Sequence, residues 1–225
     1  VEVTVVGDDP VVLDRTGGVL DGAVLAAGLG PTPGREHLIA QVNYFGVVDL
    51  LTGWREAFAK AGAARVVVFG SNATTSTPMV PKKTVRAFLE GDADAAIAAT
   101  RKFKASAPAM VYAGSKIAVS RWVRRNAVKP EWAEAGIRVN VVAPGAILTP
   151  MVEAQLADPN LRGAIEAFPV PVGRHGQADE VAEAVMFLVG PASGFMVGTV
   201  LFVDGGTDAF FRADTRETVA HADFT

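Results

Sequence analysis

Tyr112 and Lys116 stand four residues apart in the segment Tyr-Ala-Gly-Ser-Lys. On a helix that spacing puts both on one face, one turn apart, so that an ammonium can lie beside a phenol. The chemistry this suits is proton exchange with an oxygen on carbon. Carbonyl reduction without a metal needs an acid that protonates a developing alkoxide near neutral pH, and a phenol with an ordinary pKa of about 10 needs help to serve. Lowering that value by about three units takes roughly 4 kcal/mol of preferential stabilisation of the phenolate, within reach of a nearby cation in a partly desolvated site. Such a pair also occurs on many ordinary helix surfaces, so its setting decides its weight.

The setting is a rhythm of apolar runs and helical stretches. Val-rich runs of strand length lie at 1–6, 19–27, 64–70, 137–143 and 199–204. They are nearly continuous rather than alternating, as in strands covered on both faces. Between them, apolar residues at three-to-four spacing predict helices over 36–60, 113–135 and 178–189. This alternation predicts an α/β fold: a doubly wound, Rossmann-like parallel sheet with crossover helices. Such sheets bind ligands at the carboxyl ends of their strands. Ser71 follows one strand there, Gly145 and Thr149 follow another, Asp204 ends the last, and Asn43 falls within the first long helix. The stretch 74–109 breaks the rhythm, being charged, alanine-rich and without strand signal. Its spacing around 82–89 and 92–103 reads as a helical insertion between Ser71 and Tyr112.

Composition narrows the classes. The chain has 225 residues, 50% hydrophobic and 20% charged, enough for one folded domain with a sizeable core. A net charge of -3 offers no footprint for nucleic acid or an anionic membrane. With no cysteine, disulfides, zinc ribbons and thiol catalysis are excluded, and the cytoplasm is the expected compartment. His37, His175 and His221 are too scattered for a metal site. No apolar run approaches the roughly 20 residues that span a bilayer. The expected partner is small or uncharged.

The order Asn43, Ser71, Tyr112, Lys116 resembles the active-site tetrad of the short-chain dehydrogenase/reductase family, and the likeness runs from about residue 20 to residue 210. The resemblance implies that Ser71 hydrogen-bonds the substrate oxygen and Tyr112 exchanges the proton. Lys116 would bind the nicotinamide ribose and lower the tyrosine pKa, while Asn43 would hold a water of the proton relay. Gly145, Ile147 and Thr149 match the family's PGxxxT segment at the nicotinamide end of the cofactor, and Gly28 would meet the cofactor through its backbone. The long separation of Ser71 from Tyr112, with LAAGLGP at 25–31, VNYFG at 42–46 and YAGSK, is similar to the 3α-hydroxysteroid dehydrogenase/carbonyl reductase subgroup. There the insertion obstructs a common helix-pair interface, which implies a homodimer built on another surface, or a tetramer. The resemblance also makes 150–172 a flap over the substrate. Its apolar residues, among them Met151, suit an alicyclic ketone, and Phe210 and Phe211 would help close the pocket.

The family opens on a strand and a TGxxxGxG turn that cradles pyrophosphate, and this sequence starts at Val1 without them, so roughly 30 to 40 residues are expected to precede it. The opening run then reads as the family's third strand, with Asp8 or Asp9 beside the adenine. As the second strand, one of them would accept the ribose hydroxyls and favour NAD. The expectation is an NAD- or NADP-dependent oxidoreductase interconverting a secondary alcohol and a ketone, with a 3α-hydroxysteroid or another apolar carbonyl as substrate. Two alternatives stand beside it: a different ring alcohol or diol, and a non-catalytic relative serving as a dimerisation or binding module.

Overall fold

The computed structural model describes residues 10–77, 79–157 and 159–213. The opening run 1–6, with Asp8 and Asp9, and His221 lie outside the described residues. Among the described residues, four apolar segments form parallel strands in the order β1 (Gly22–Leu25), β2 (Arg65–Phe69), β3 (Arg138–Pro144) and β4 (Val200–Val203). β1 is shorter than the apolar run 19–27, because the Leu20 N–H bonds the Ala57 carbonyl instead of a strand. Both faces of the sheet are covered. Val66 and Val68 of β2 join a core with Leu51, Phe58, Val119 and Val139, while Val67 faces a second core with Val142, Val181, Val185 and Leu188. The period of two along β2 therefore feeds one side chain in turn to each layer.

The helices, in chain order, are α1 (Pro10–Arg15), α2 (Glu36–Ala40), α3 (Gly46–Ala61), α4 (Ala73–Ser76), α5 (Lys82–Leu89), α6 (Ala93–Ala98), α7 (Ala107–Asn126), α8 (Pro130–Ala133), α9 (Pro150–Ala157), α10 (Pro159–Glu166), α11 (Ala178–Val189) and α12 (Thr207–Phe211). A π-helical turn, Gln41–Phe45, joins α2 to α3. The helix expected at 113–135 begins earlier and stops at Asn126, because Pro130 forces Lys129 into an extended conformation. At α11, Gln177 and Glu180 form a capping box, and Arg174 with the Gln177 N–H pulls the Glu180 carboxyl down to about 2.

Between β2 and α7 the chain makes a helical hairpin. α5 runs out, Asp92 caps α6 through the Ala95 N–H at 2.8 Å, and a 3-10 turn, Arg101–Ser106, leads back into α7. α5 presses on α7 at Gly114, where a β-carbon would stand 2.7 Å from Thr84 Cγ2 and 3.6 Å from the Phe88 ring. Glycine is poor in a helix interior, and here its missing side chain admits the neighbouring helix. Phe88 continues inward to Tyr44 and Phe45, at ring distances of 5.3 and 6.1 Å. The hairpin is thus sewn to both α7 and the π turn. Gly114→Val is expected to lower stability by about 1–3 kcal/mol through overpacking, with part recovered when Thr84→Ser removes the opposing methyl. Urea unfolding of the single and double variants measures both effects.

Candidate active site

Ser71 leaves the carboxyl end of β2, where its hydroxyl accepts from the Ala73 N–H at 3.1 Å. It also hydrogen-bonds the phenol of Tyr112, in the second turn of α7. One turn on, Lys116 is only 4% exposed, and its Nζ donates to the Phe69 carbonyl at 2.8 Å. The three side chains therefore meet at one strand end. Asn43 is fully buried on the π turn, and its amide is spent on one residue: Oδ1 accepts from the Leu29 N–H at 2.8 Å and Nδ2 donates to the Leu29 carbonyl at 2.9 Å. This two-bond ring clamps the loop after β1. Gly28 in that loop bridges the constellation, since a β-carbon there would lie 3.4 Å from Asn43 Oδ1 and 3.5 Å from Lys116 Nζ.

The PGxxxT residues occupy the next strand end. The Gly145 N–H donates to the Val203 carbonyl at 3.0 Å, and a β-carbon on it would collide with Asp204 at 2.6 Å. Ile147 pairs in parallel with Gly176, and the Thr149 hydroxyl and carbonyl accept from Val152 and Glu153 to start α9. Met151 falls on α9, and its side chain lies outside what the structure describes. Asp204, buried at the end of β4, is occupied by the Gly206 and Asp208 N–H groups. Phe211 meets Phe168 in a tilted contact at 6.5 Å and Phe210 edge-on at 5.5 Å. Asn140, in the middle of β3, binds Met196 and Thr199 backbone and is structural.

The electrostatics depart from the expectation that Lys116 lowers the phenol. Burial pushes Tyr112 above its ordinary value, and the Ser71 hydrogen bond opposes this without reversing it. Burial likewise pulls Lys116 down to about 8. The ammonium points at the Phe69 carbonyl, so its influence on Tyr112 is weaker than the desolvation both groups share. Sequence reading missed three participants: the Phe69 carbonyl, the Leu29 backbone and Gly114. A glycine inside a long helix was the one available signal, for the last of these.

The residues present fit a nicotinamide nucleoside. Lys116 carries three N–H donors and spends one on Phe69, and Gly28 leaves bare backbone beside it. Among the described residues no group of three His, Asp or Glu side chains stands ready for a metal, and no helix is long and apolar enough to cross a membrane.

The model of the enoyl-(acyl carrier protein) reductase family matches residues 42–208. A 3-alpha-hydroxysteroid dehydrogenase/carbonyl reductase of Comamonas testosteroni is 35% identical over 193 residues, which span 86% of this chain and 74% of that protein. The chain belongs to the short-chain dehydrogenase/reductase family. Within it, a 3-alpha-hydroxysteroid dehydrogenase from Pseudomonas sp. B-0831, solved in complex with NADH, superposes with a TM-score of 0.81 at 46% identity, covering 91% of this chain and 79% of that one. The 3beta-hydroxysteroid dehydrogenase 1 of Eggerthella lenta matches over 95 residues at 42% identity, only 35% of its own length. This short-chain dehydrogenase/reductase has the family's Rossmann-like parallel sheet and is an oxidoreductase.

The buried lysine makes a prediction about stability. Between about pH 8 and 10.5 the unfolded chain holds a proton that folded Lys116 has released, so stability from this group rises with pH across that window. Below it the full penalty of a buried charge is present. Denaturation midpoints should therefore rise in the wild type relative to Lys116→Met between pH 7.5 and 10, whereas parallel profiles would show an ammonium that is not desolvated.

Proposed function

We propose that this enzyme interconverts a secondary alcohol and a ketone with NAD or NADP, and that its substrate is an apolar alicyclic compound such as a 3α-hydroxysteroid. The observation that carries the reading is the Ser71–Tyr112 hydrogen bond with buried Lys116 one turn behind it, at the carboxyl edge of a parallel sheet. The nicotinamide supplies or accepts the hydride when bound. In reduction, the Ser71 hydroxyl donates to the substrate carbonyl and orients it. The Tyr112 phenol gives its proton to the oxygen as negative charge develops there. Lys116, with two donors unspent, binds the ribose hydroxyls and stabilises the phenolate left on Tyr112. The relay water belongs at the Asn43 backbone, because the side-chain amide is taken by Leu29 and a π turn loosens the helix hydrogen-bond ladder. Gly28, Gly145, Ile147 and Thr149 line the cofactor on the two flanking strand ends.

Substrate class rests on the steroid dehydrogenase relatives and on the apolar residues of the 150–172 flap with Phe168, Phe210 and Phe211. The assembly in this reading is a homodimer that avoids the outer face of α7, which α5 and α6 already cover. The cysteine-free chain suits the reducing cytoplasm.

Tyr112→Phe is expected to abolish alcohol–ketone turnover while leaving NADH affinity nearly unchanged. Residual activity above about one per cent of wild type would contradict the assignment of the acid. Lys116→Ala should weaken cofactor binding and turnover together. Fluorescence titration with NADH beside steady-state rates separates the two effects.

A further inference from the structure

In the capping box of α11 the Glu180 carboxylate accepts from the Gln177 N–H at 2.8 Å. A glutamine at position 180 would serve that cap equally well. The charge of Glu180 is therefore more than the helix end requires, and it is engaged elsewhere. Arg174 meets it with both terminal nitrogens, Nη1 at 2.8 Å from Oε2 and Nη2 at 2.6 Å from Oε1, while Nη1 also donates to the His175 carbonyl at 3.1 Å. The guanidinium thus folds back over its own turn and ties that turn to the start of α11. The two side chains are 58% and 44% exposed, so the pair adds little to overall stability; a bidentate pair with a further backbone bond is nonetheless the kind that holds a geometry.

The turn held in this way supports Ile147. The Gly176 N–H donates to the Ala146 carbonyl at 3.0 Å, and the Leu148 N–H donates to the Gly176 carbonyl at 2.8 Å. Between these bonds the Ile147 side chain lies so close over Gly176 that a β-carbon there would stand 2.6 Å from Cδ1. Val203 holds Gly145 from β4, and Gly176 holds the three residues after it. Further back along the same strap, the Val172 N–H donates to the Gly205 carbonyl at 3.1 Å, and the Thr207 hydroxyl donates to the Pro169 carbonyl at 2.8 Å. Arg174 and Glu180 line one cavity together with Ala146, Ile147, Val203 and Asp204, past the carboxyl ends of β3 and β4.

Resting on the reading above that Gly145, Ile147 and Thr149 meet the nicotinamide end of the cofactor, we propose that Glu180, acting through Arg174, is a positioning residue for that end. The ion pair fixes the turn at 174–176, and the two backbone bonds of Gly176 pass that position to Ala146, Ile147 and Leu148. Without the pair, the cap keeps α11 in place while the turn gains freedom, and the segment it carries is no longer held ready for the ligand. In the same reading the adenine end of the cofactor falls to the chain before β1, so its binding makes no demand on this turn.

The test titrates the full chain with NADH, or NADPH where that is the cofactor it takes, and with ADP-ribose or its 2′-phosphate, which keep the adenosine half and lack nicotinamide. Glu180→Gln retains the cap and loses the ion pair, so its urea midpoint should stay close to that of the wild type. Its affinity for the nicotinamide cofactor should fall about three- to fivefold, with ADP-ribose changed less than about twofold. Arg174→Gln should show the same split, and the double variant should bind no more weakly than either single one, as a coupled pair requires. Equal weakening of both ligands, or no change in either, would overturn the proposal. A wild type that binds the nicotinamide cofactor no better than ADP-ribose would overturn the cofactor reading of 145–149, and the proposal with it.

Discussion

An ammonium buried against a backbone carbonyl governs this molecule. Removing Lys116 from water costs free energy that a single hydrogen bond to Phe69 offsets only in part, as its pKa of about 8 records. Such a group keeps its place only if the surrounding structure holds it there. The strand end of β2 fixes the acceptor, and twenty residues of α7 fix the donor. The Asn43–Leu29 ring closes the space above, setting Gly28 beside Nζ. The helical hairpin, packed through Gly114 and Phe88, stiffens α7 from outside. Each of these elements lies at or next to the carboxyl edge of the sheet, and together they hold the phenol of Tyr112 beside Ser71 at the end of β2.

The same burial sets the electrostatic problem that catalysis has to solve. Desolvation raises the phenol and lowers the ammonium, so both neutral forms are favoured, whereas the proposed reaction needs phenolate and ammonium in turn. Ser71 already works against the rise through its hydrogen bond to Tyr112. A ligand hydroxyl on Lys116 would satisfy the donors Phe69 leaves free and favour the charged lysine, which in turn favours the phenolate. The resting pKa directions are compatible with the proposed role when binding shifts the pair together.

The sequence shows these relations unevenly. Continuous Val-rich runs read as strands covered on both faces, and β2 and β3 fall within a residue or two of 64–70 and 137–143. Helical spacing read Tyr112 and Lys116 onto one face because a 3.6-residue period is a local property. The clamp between Asn43 and Leu29, and the bond from Lys116 to Phe69, join residues far apart in the chain and leave no periodic trace. The π turn at Gln41–Phe45 is equally silent, since its residues continue the apolar spacing of an ordinary helix. Composition also misled at one point. Spacing carried the long helix on to residue 135, but Pro130 ended that extension.

The direct test of this account is a titration of tyrosinate by ultraviolet absorbance. The chain has only two tyrosines, and burial holds Tyr44 up at about 12, well clear of the region of interest. With saturating oxidised cofactor, NAD or NADP, Tyr112 should ionise below its ordinary value of about 10, and that step should vanish in Tyr112→Phe. In Lys116→Met, loaded to the same occupancy, the step should return to about 10 or above. If Tyr112 of the loaded wild type still ionises at or above about 10, the buried lysine does not activate the phenol and the account is wrong.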